Sequence, residues 1–211
     1  MTEHVERFTG RVADYERYRL RYPVGVLDIL RERCGLLETS LVADVGAGTG
    51  MLAELFLENG NRVIAVEPNA EMREACERLR KRYTGLTVVA AAAEATTLED
   101  ASTEAKAYEE ILMEFGMDYR ELQSGYRVYD DMPPLFAGGA EVRETIRGEQ
   151  VLTLEELLGQ TQSLSVAPLP GDAKYAGMQG ALRDFFARFQ RDGVLRLGTA
   201  CSVMACRVSA G

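Results

Sequence analysis

The sequence has no tryptophan and a single histidine, His4, which nearly excludes a histidine-built metal site or a histidine-dependent catalytic triad. Its four cysteines, Cys34, Cys76, Cys201 and Cys206, include no CxxC pair and read as reduced thiols packed as small apolar side chains. It lacks any apolar run near the roughly 20 residues a membrane span needs. The opening stretch MTEHVERFTGR has no apolar signal segment, so a cytoplasmic protein is expected. Positive charge is in deficit: 24 Lys and Arg against 33 Asp and Glu leave a net charge of −9. That balance repels phosphate backbones and argues against a nucleic-acid partner. Basic clusters exist around Arg17, Arg19 and Arg21 and at RLRKR (78–82), the second reading as a solvated helix face.

What remains is an ordinary globular composition, 46% hydrophobic and 27% charged over 211 residues, enough for one domain spanning 1–211. Residues 11 to 33 read as helical, broken near Tyr22-Pro23, with Gly35 as terminator. LVADV (41–45) reads as a buried strand, 51–58 as a helix, and RVIAVE (62–67) as a second strand covered on both faces. Asn69 is placed to cap the next helix, and LTVVAAA (86–92) is a third strand. This α, β, α, β, α, β alternation is that of a Rossmann-like, doubly wound, mostly parallel sheet. Then the pattern changes. A helix is expected from Thr103, loop over 119–139, and strand over 141–151. Thr153 and Glu156 form a capping box, a helix runs from about Ala176 to Arg191 with Gly193 ending it, and 194–208 form a strand or hairpin. The expected layout is a helical lid (1–40), a ligand-binding half (41–102) and a C-terminal half (103–211) with antiparallel strands.

The informative stretch is LVADVGAGTGML, where a strand runs into Gly46, Gly48 and Gly50 and then into a helix. Glycine at alternate positions permits a tight turn and close approach of a ligand to backbone N–H groups. A dinucleotide loop places its third glycine where Met51 stands, and no Lys-Ser/Thr follows for a phosphate-cradling loop. The loop therefore suits a nucleoside-like ligand without a pyrophosphate. Glu67 lies about 20 residues beyond the loop, the spacing at which a carboxylate reaches a ribose diol.

LVADVGAGTGML, VIAVEPNAEM and VVAAAAEATTL, with FTGRVADYERYRLRYP before them, resemble class I S-adenosylmethionine-dependent methyltransferases. The likeness is to the small-molecule enzymes of the ubiquinone/menaquinone-biosynthesis type. It covers residues 8 to 102 well and the remainder loosely. The resemblance implies that Asp44 braces the glycine turn near the amino-acid end of the cofactor. It implies that Gly46, Ala47, Gly48 and Gly50 floor the methionyl part and ribose, and that Glu67 accepts from the ribose hydroxyls. Pro68 and Met72 would flank the adenine, Ala93 and Glu94 would read its edge, and Tyr15, Tyr18 and Arg19 would belong to a lid. It implies S-adenosylmethionine as cofactor, S-adenosylhomocysteine as product and a small-molecule methyl acceptor.

The resemblance also implies a fourth strand, a helix and a fifth strand after EDAS (99–102), where this chain passes directly to TEAKAYEEIL. With that block missing, three outcomes are open. The C-terminal strands pair directly with the first strand, a homodimer completes the sheet, or the edge stays open; a rejoined or dimer-completed sheet is expected. No catalytic base stands out, Tyr15, Tyr18 or an acid near the loop being candidates. Two rival readings accompany the methyltransferase: a degenerate fold that binds cofactor or a protein partner without catalysis, and a different nucleotide-using enzyme.

Overall fold

Pro23 lacks the N–H a helix interior requires, and the chain divides there. Helix α1 (Val12–Tyr18) stops at Arg19, which is extended at φ −63 and ψ 134, and helix α2 (Gly25–Cys34) begins beyond the proline and ends on Gly35 at φ 72. The computed structural model describes residues 10–90, 103–117, 119 and 142–205.

The first half alternates as its sequence predicts. Strand β1 (Leu41–Val45), helix α3 (Met51–Glu58), strand β2 (Arg62–Val66), helix α4 (Ala70–Arg78) and strand β3 (Leu86–Val89) follow in order. The strands form a parallel sheet in the order β1-β2-β3, with Val42 beside Val63 and Asp44 beside Ala65. Val63, Ala65 and Leu86 are buried with Ala53, Phe56 and Leu57 of α3 and Cys76 of α4. The opposite row behaves differently: Leu41, Val45 and Val89 are exposed. On β2 itself the second face, Ile64 and Val66, is half-buried, so it is covered in part by the described residues. β3 is also shorter than expected, ending at Val89, with 91 and 92 outside the described residues.

The second half packs around its own core. Helix α5 (Thr103–Phe115), strand β4 (Val142–Leu152), helix α6 (Leu154–Gln162), helix α7 (Tyr175–Phe189) and strand β5 (Leu195–Ala205) supply Leu112, Leu152, Leu157, Met178, Leu182, Phe185 and Leu195 to one buried cluster. Thr153 and Glu156 make the anticipated capping box at α6. α7 ends at Phe189, not at Gly193, whose φ of 80 instead serves the turn between Arg191 and Val194 into β5.

The C-terminal strands do not rejoin β1. β4 and β5 form a separate antiparallel pair over eleven residues each, from Val142 opposite Ala205 to Leu152 opposite Leu195. That ladder satisfies the facing backbone groups of both strands, and its apolar row finds cover elsewhere, so burial does not require pairing with β1. The pair meets the first half across α2: Val203 enters the first core, Ile146 lies 3.4 Å from where a side chain on Gly25 would begin, and Glu144 accepts from Arg33 at 2.6 Å. Of the cysteines, Cys76 is buried and Cys201 half-buried, but Cys34 is exposed, against the expectation of packed thiols. Cys206 lies outside the described residues.

Candidate functional site

The three glycines each adopt positive φ, 77 at Gly46, 56 at Gly48 and 87 at Gly50, so each needs the freedom that only glycine offers cheaply. Gly46 and Ala47 both donate to the Val66 carbonyl, at 2.8 and 3.1 Å, tying the loop to the end of β2. Gly50 donates to Ala47 at 2.8 Å and opens α3; a side chain there would begin 2.7 Å from Leu79 Cδ1 and 2.8 Å from Cys76 Sγ. Gly48 is different, because nothing lies closer to such an added atom than the Tyr15 hydroxyl of α1, at 3.9 Å.

Glu67, at the end of β2, grips the loop. Its Oε2 accepts from Gly48 N at 2.8 Å and its Oε1 from Asn69 N at 2.7 Å. Asn69 then caps α4 by accepting from Met72 N at 3.0 Å. These bonds correct one expectation: the amides of Gly46, Ala47, Gly48 and Gly50 are engaged within the protein rather than left bare. What stands unpartnered is acidic or hydroxylic. Asp44 is 7% exposed, and among the described residues its Oδ2 has no hydrogen-bond partner; neither has the Thr49 hydroxyl. Burial pushes the Asp44 carboxyl up to about 6, opposed by a hydrogen bond from the Ala53 backbone and reinforced by the Glu67 charge. Two buried carboxylates beside an emptied turn repel phosphate and attract a cation that also carries hydroxyl donors. Each carboxylate oxygen holds two lone pairs, so Glu67 keeps room for a diol beside the bonds it already makes.

α1 lies over this turn. Gly10 N donates to Glu71 at 2.7 Å, Glu16 pairs with Arg78 at 2.7 Å and Arg21 with Glu54 at 2.9 Å, fastening the segment to α3 and α4. On its other side Arg11 donates to the carbonyls of Gln162 and Ala167, and Arg17 pairs with Glu155. α1 thus sits against the loop, with the Tyr15 hydroxyl nearest Gly48 and Arg19 stacked 5.3 Å from the Tyr15 ring. Tyr18 is not part of it: its hydroxyl donates to Glu155 at 2.8 Å, and its ring packs where a side chain on Gly159 would sit.

Asp44, Gly46, Ala47, Gly48, Gly50, Glu67 and Tyr15 are therefore brought together. Pro68 is half-buried and Met72 is buried on α4, while Ala93 and Glu94 lie outside the described residues. Thr49 was not anticipated; its signal is a polar residue between two glycines. A cavity of about 350 Å³ lined by Asn61, Arg62, Tyr83 and Gly85 opens at the other end of the sheet, away from the carboxyl ends where parallel strands present ligands. Among the described residues no group of three His, Cys, Asp or Glu could hold a metal, and no helix is long and apolar enough to cross a membrane.

Residues 43–130 match the family described as methyltransferase domain. Over 107 residues the chain is 34% identical to an uncharacterized methyltransferase-like protein of Schizosaccharomyces pombe, covering 49% of this chain and 41% of that protein. An uncharacterized methyltransferase of the same yeast is 31% identical over 98 residues, covering 46% and 38%. The chain spans about two fifths of the length of these curated relatives. Among solved structures, an S-adenosylmethionine-dependent methyltransferase of Geobacter sulfurreducens in complex with S-adenosyl-L-homocysteine aligns over 95% of this chain and 98% of its own, at 11% identity and a TM-score of 0.43.

Proposed function

We propose that this chain, whose residues 43–130 match a methyltransferase domain, is a class I S-adenosylmethionine-dependent methyltransferase that transfers a methyl group from S-adenosylmethionine to a small molecule and releases S-adenosylhomocysteine. The observation that carries the reading is the unpartnered, buried Asp44 oxygen beside a Glu67 that clamps the Gly48 amide. A ligand that is cationic at one end and carries a diol at the other answers both carboxylates, and an adenosyl sulfonium with an amino-acid tail has that chemistry.

When bound, the cofactor supplies an electrophilic methyl on a sulfonium, whose departure returns the electron pair to sulfur as a neutral thioether. The chain's part is alignment and exclusion of water. Asp44 orients the ammonium end through Oδ2. Glu67 holds the ribose hydroxyls on its spare lone pairs. Gly48, bare of side chain, lets the ligand lie against the loop, and Pro68 and Met72 border the adenine. Tyr15 and Arg19 close over it from α1, so α1 must lift for entry and return before transfer. The loop, Asp44 and Glu67 support cofactor binding in the degenerate, non-catalytic alternative as well; the match of residues 43–130 to a methyltransferase domain is what favours transfer.

Calorimetric titration with S-adenosylhomocysteine tests the reading, and Glu67→Gln should weaken binding about tenfold or more through the lost charge-assisted bonds. Absence of both heat and thermal shift in the native protein would overturn it. Product detection on a panel of small acceptors then tests the transfer. Exposed Leu41 and Val45 on β1 give a physical reason for a homodimer at this strand; light scattering that shows a monomer at every concentration rejects that part.

A further inference from the structure

α1 bridges the two halves, and its two sides are held by different chemistry. On the α6 side Arg11 is buried and donates to the Gln162 carbonyl at 3.1 Å and the Ala167 carbonyl at 2.6 Å. The Tyr18 ring fills the notch left by Gly159, and its hydroxyl donates to Glu155 at 2.8 Å. Lifting α1 from this side strips a buried guanidinium of its bonds and empties a packed notch, and both are costly.

The contacts to α3 and α4 are of another kind. Glu16 accepts from Arg78 at 2.7 Å, Arg21 donates to Glu54 at 2.9 Å, and the Gly10 N–H donates to Glu71 at 2.7 Å, all at the surface. Of the four ion-paired side chains only Glu54 is largely buried, and it also holds Arg82 at 2.7 Å. Surface ion pairs contribute little each, and salt screens them. Parting this seam leaves Glu54 paired with Arg82 and returns the other groups to water. It therefore costs far less than lifting α1 from α6. The glycine loop lies at the seam, where the Tyr15 hydroxyl comes nearest Gly48. Residues 19–24 join α1 to α2 outside either helix and can follow such a movement.

We propose that α1 stays seated on α6 and opens along its seam with α3 and α4, where Glu16–Arg78 and Arg21–Glu54 form an ionic latch that sets how fast the cofactor exchanges. The inference rests on the methyltransferase reading, which puts the ligand under α1, and goes beyond it by naming the side that opens. Ligand then enters and leaves over α4, past Met72 and Glu67. Rising ionic strength loosens the latch and leaves the Arg11 seat closed. Arg17 and Glu155 supply the control: an exposed pair at 3.0 Å on the side that stays shut.

Release of S-adenosylhomocysteine is followed by displacement at about 0.01 M and about 1 M salt, between which the screening length falls from about 30 to about 3 Å. The native rate should rise about fivefold with salt. At low salt Glu16→Gln and Arg21→Gln should each speed release about threefold, and the double variant should lose most of the salt dependence. Glu16→Arg should speed it too, and adding Arg78→Glu should bring the rate back to within about twofold of native. Arg17→Gln should leave it within about 1.5-fold. A native rate indifferent to salt, or an Arg17→Gln acceleration equal to that of Arg21→Gln, overturns the proposal. Should the native protein bind no S-adenosylhomocysteine, the methyltransferase reading fails. The latch is then read in the free protein by hydrogen exchange of the amides of residues 46–50. Faster exchange in the Glu16→Gln, Arg21→Gln double variant but not in Arg17→Gln keeps the latch, and equal rates in both and in the native protein remove it.

Discussion

The two sheets bury apolar rows by opposite means. In the parallel half, three short strands end together at Val45, Val66 and Val89, and the chain leaves the first two in loops at that edge of the sheet. In the antiparallel half, two eleven-residue strands run along each other, β4 leading into α6 at the end where β5 begins. Parallel strands gather their departing loops on one side, so glycine turns and carboxylates from separate strands meet there. An antiparallel ribbon disperses its ends and serves as wall and brace. The polar orphans follow the same division. In the first half they are a carboxylate and a hydroxyl in the loop region, Asp44 and Thr49, and in the second they are neutral amide oxygens on α6, Gln160 and Gln162. Buried charge without a partner belongs where a ligand comes.

The division breaks most sharply at Gly50. Valine there would need φ near 87 and would drive its side chain into Leu79 and Cys76. Backbone strain and overpacking together should cost about 4 kcal/mol and remove binding of S-adenosylhomocysteine, read by urea midpoint and calorimetry. Leu182, fully buried on α7, offers the contrary case. Leu182→Ala should cost about 3 kcal/mol by leaving a cavity, while the folded fraction binds S-adenosylhomocysteine within about twofold of the native protein. If this variant loses affinity as Gly50→Val does, the two halves are energetically one unit and the contrast fails.

Asp44 separates the halves by pH. Its folded value is raised to about 6, so between the unfolded value and about 6 the native state holds more protons than the unfolded chain. Stability should therefore fall as pH rises through this window and level off above it, by at most roughly 3 kcal/mol. Asp44→Asn should flatten the slope, as followed by urea unfolding from acid to neutral pH. Cofactor affinity should run the other way, weakening below about pH 6 as the oxygen that faces the ammonium gains a proton. A native protein whose stability rises through the window would show that Asp44 is ionised and partnered in the fold.

Much of this was legible in the sequence, for physical reasons that differ by element. The glycine loop was readable because positive φ at three alternate positions leaves few other residues able to stand there. Asn69 and the Thr153–Glu156 box were readable because a cap needs its own side chain within three residues. The partition into two sheets was not. Whether β4 and β5 pair with β1 or only with each other depends on which surface α2 offers, and that long-range choice has no periodicity in the sequence. Glu67 reads from the sequence as an acid for the ligand but not as a partner of Gly48, because a backbone donor leaves no mark in residue identity. Tyr15 and Tyr18 are equal lid tyrosines by sequence; only Gly159, which makes room for the Tyr18 ring, decides that Tyr18 turns away.

The smallest effect tests whether that brace reaches the ligand. Thr153 accepts from Glu156 N at 3.3 Å, and its hydroxyl and its own N–H both donate to Glu156 Oε2 at 2.8 Å. Those bonds, the backbone one first, hold the Glu156 carboxyl below its ordinary value, so their contribution is present above the unfolded carboxylate value and fades as the pH falls through the folded one. Thr153→Ala should cost about 1 kcal/mol at neutral pH and less in acid, because the backbone donor survives and only the hydroxyl is lost. Glu155, the next residue but one, receives both Arg17 and Tyr18 from the lid. A frayed first turn of α6 would loosen that hold on α1 without touching the glycine loop. Unchanged affinity for S-adenosylhomocysteine in Thr153→Ala then assigns the lid's closure to its contacts with α3 and α4; a measurable loss assigns part of it to α6 and makes the antiparallel half a participant in the site.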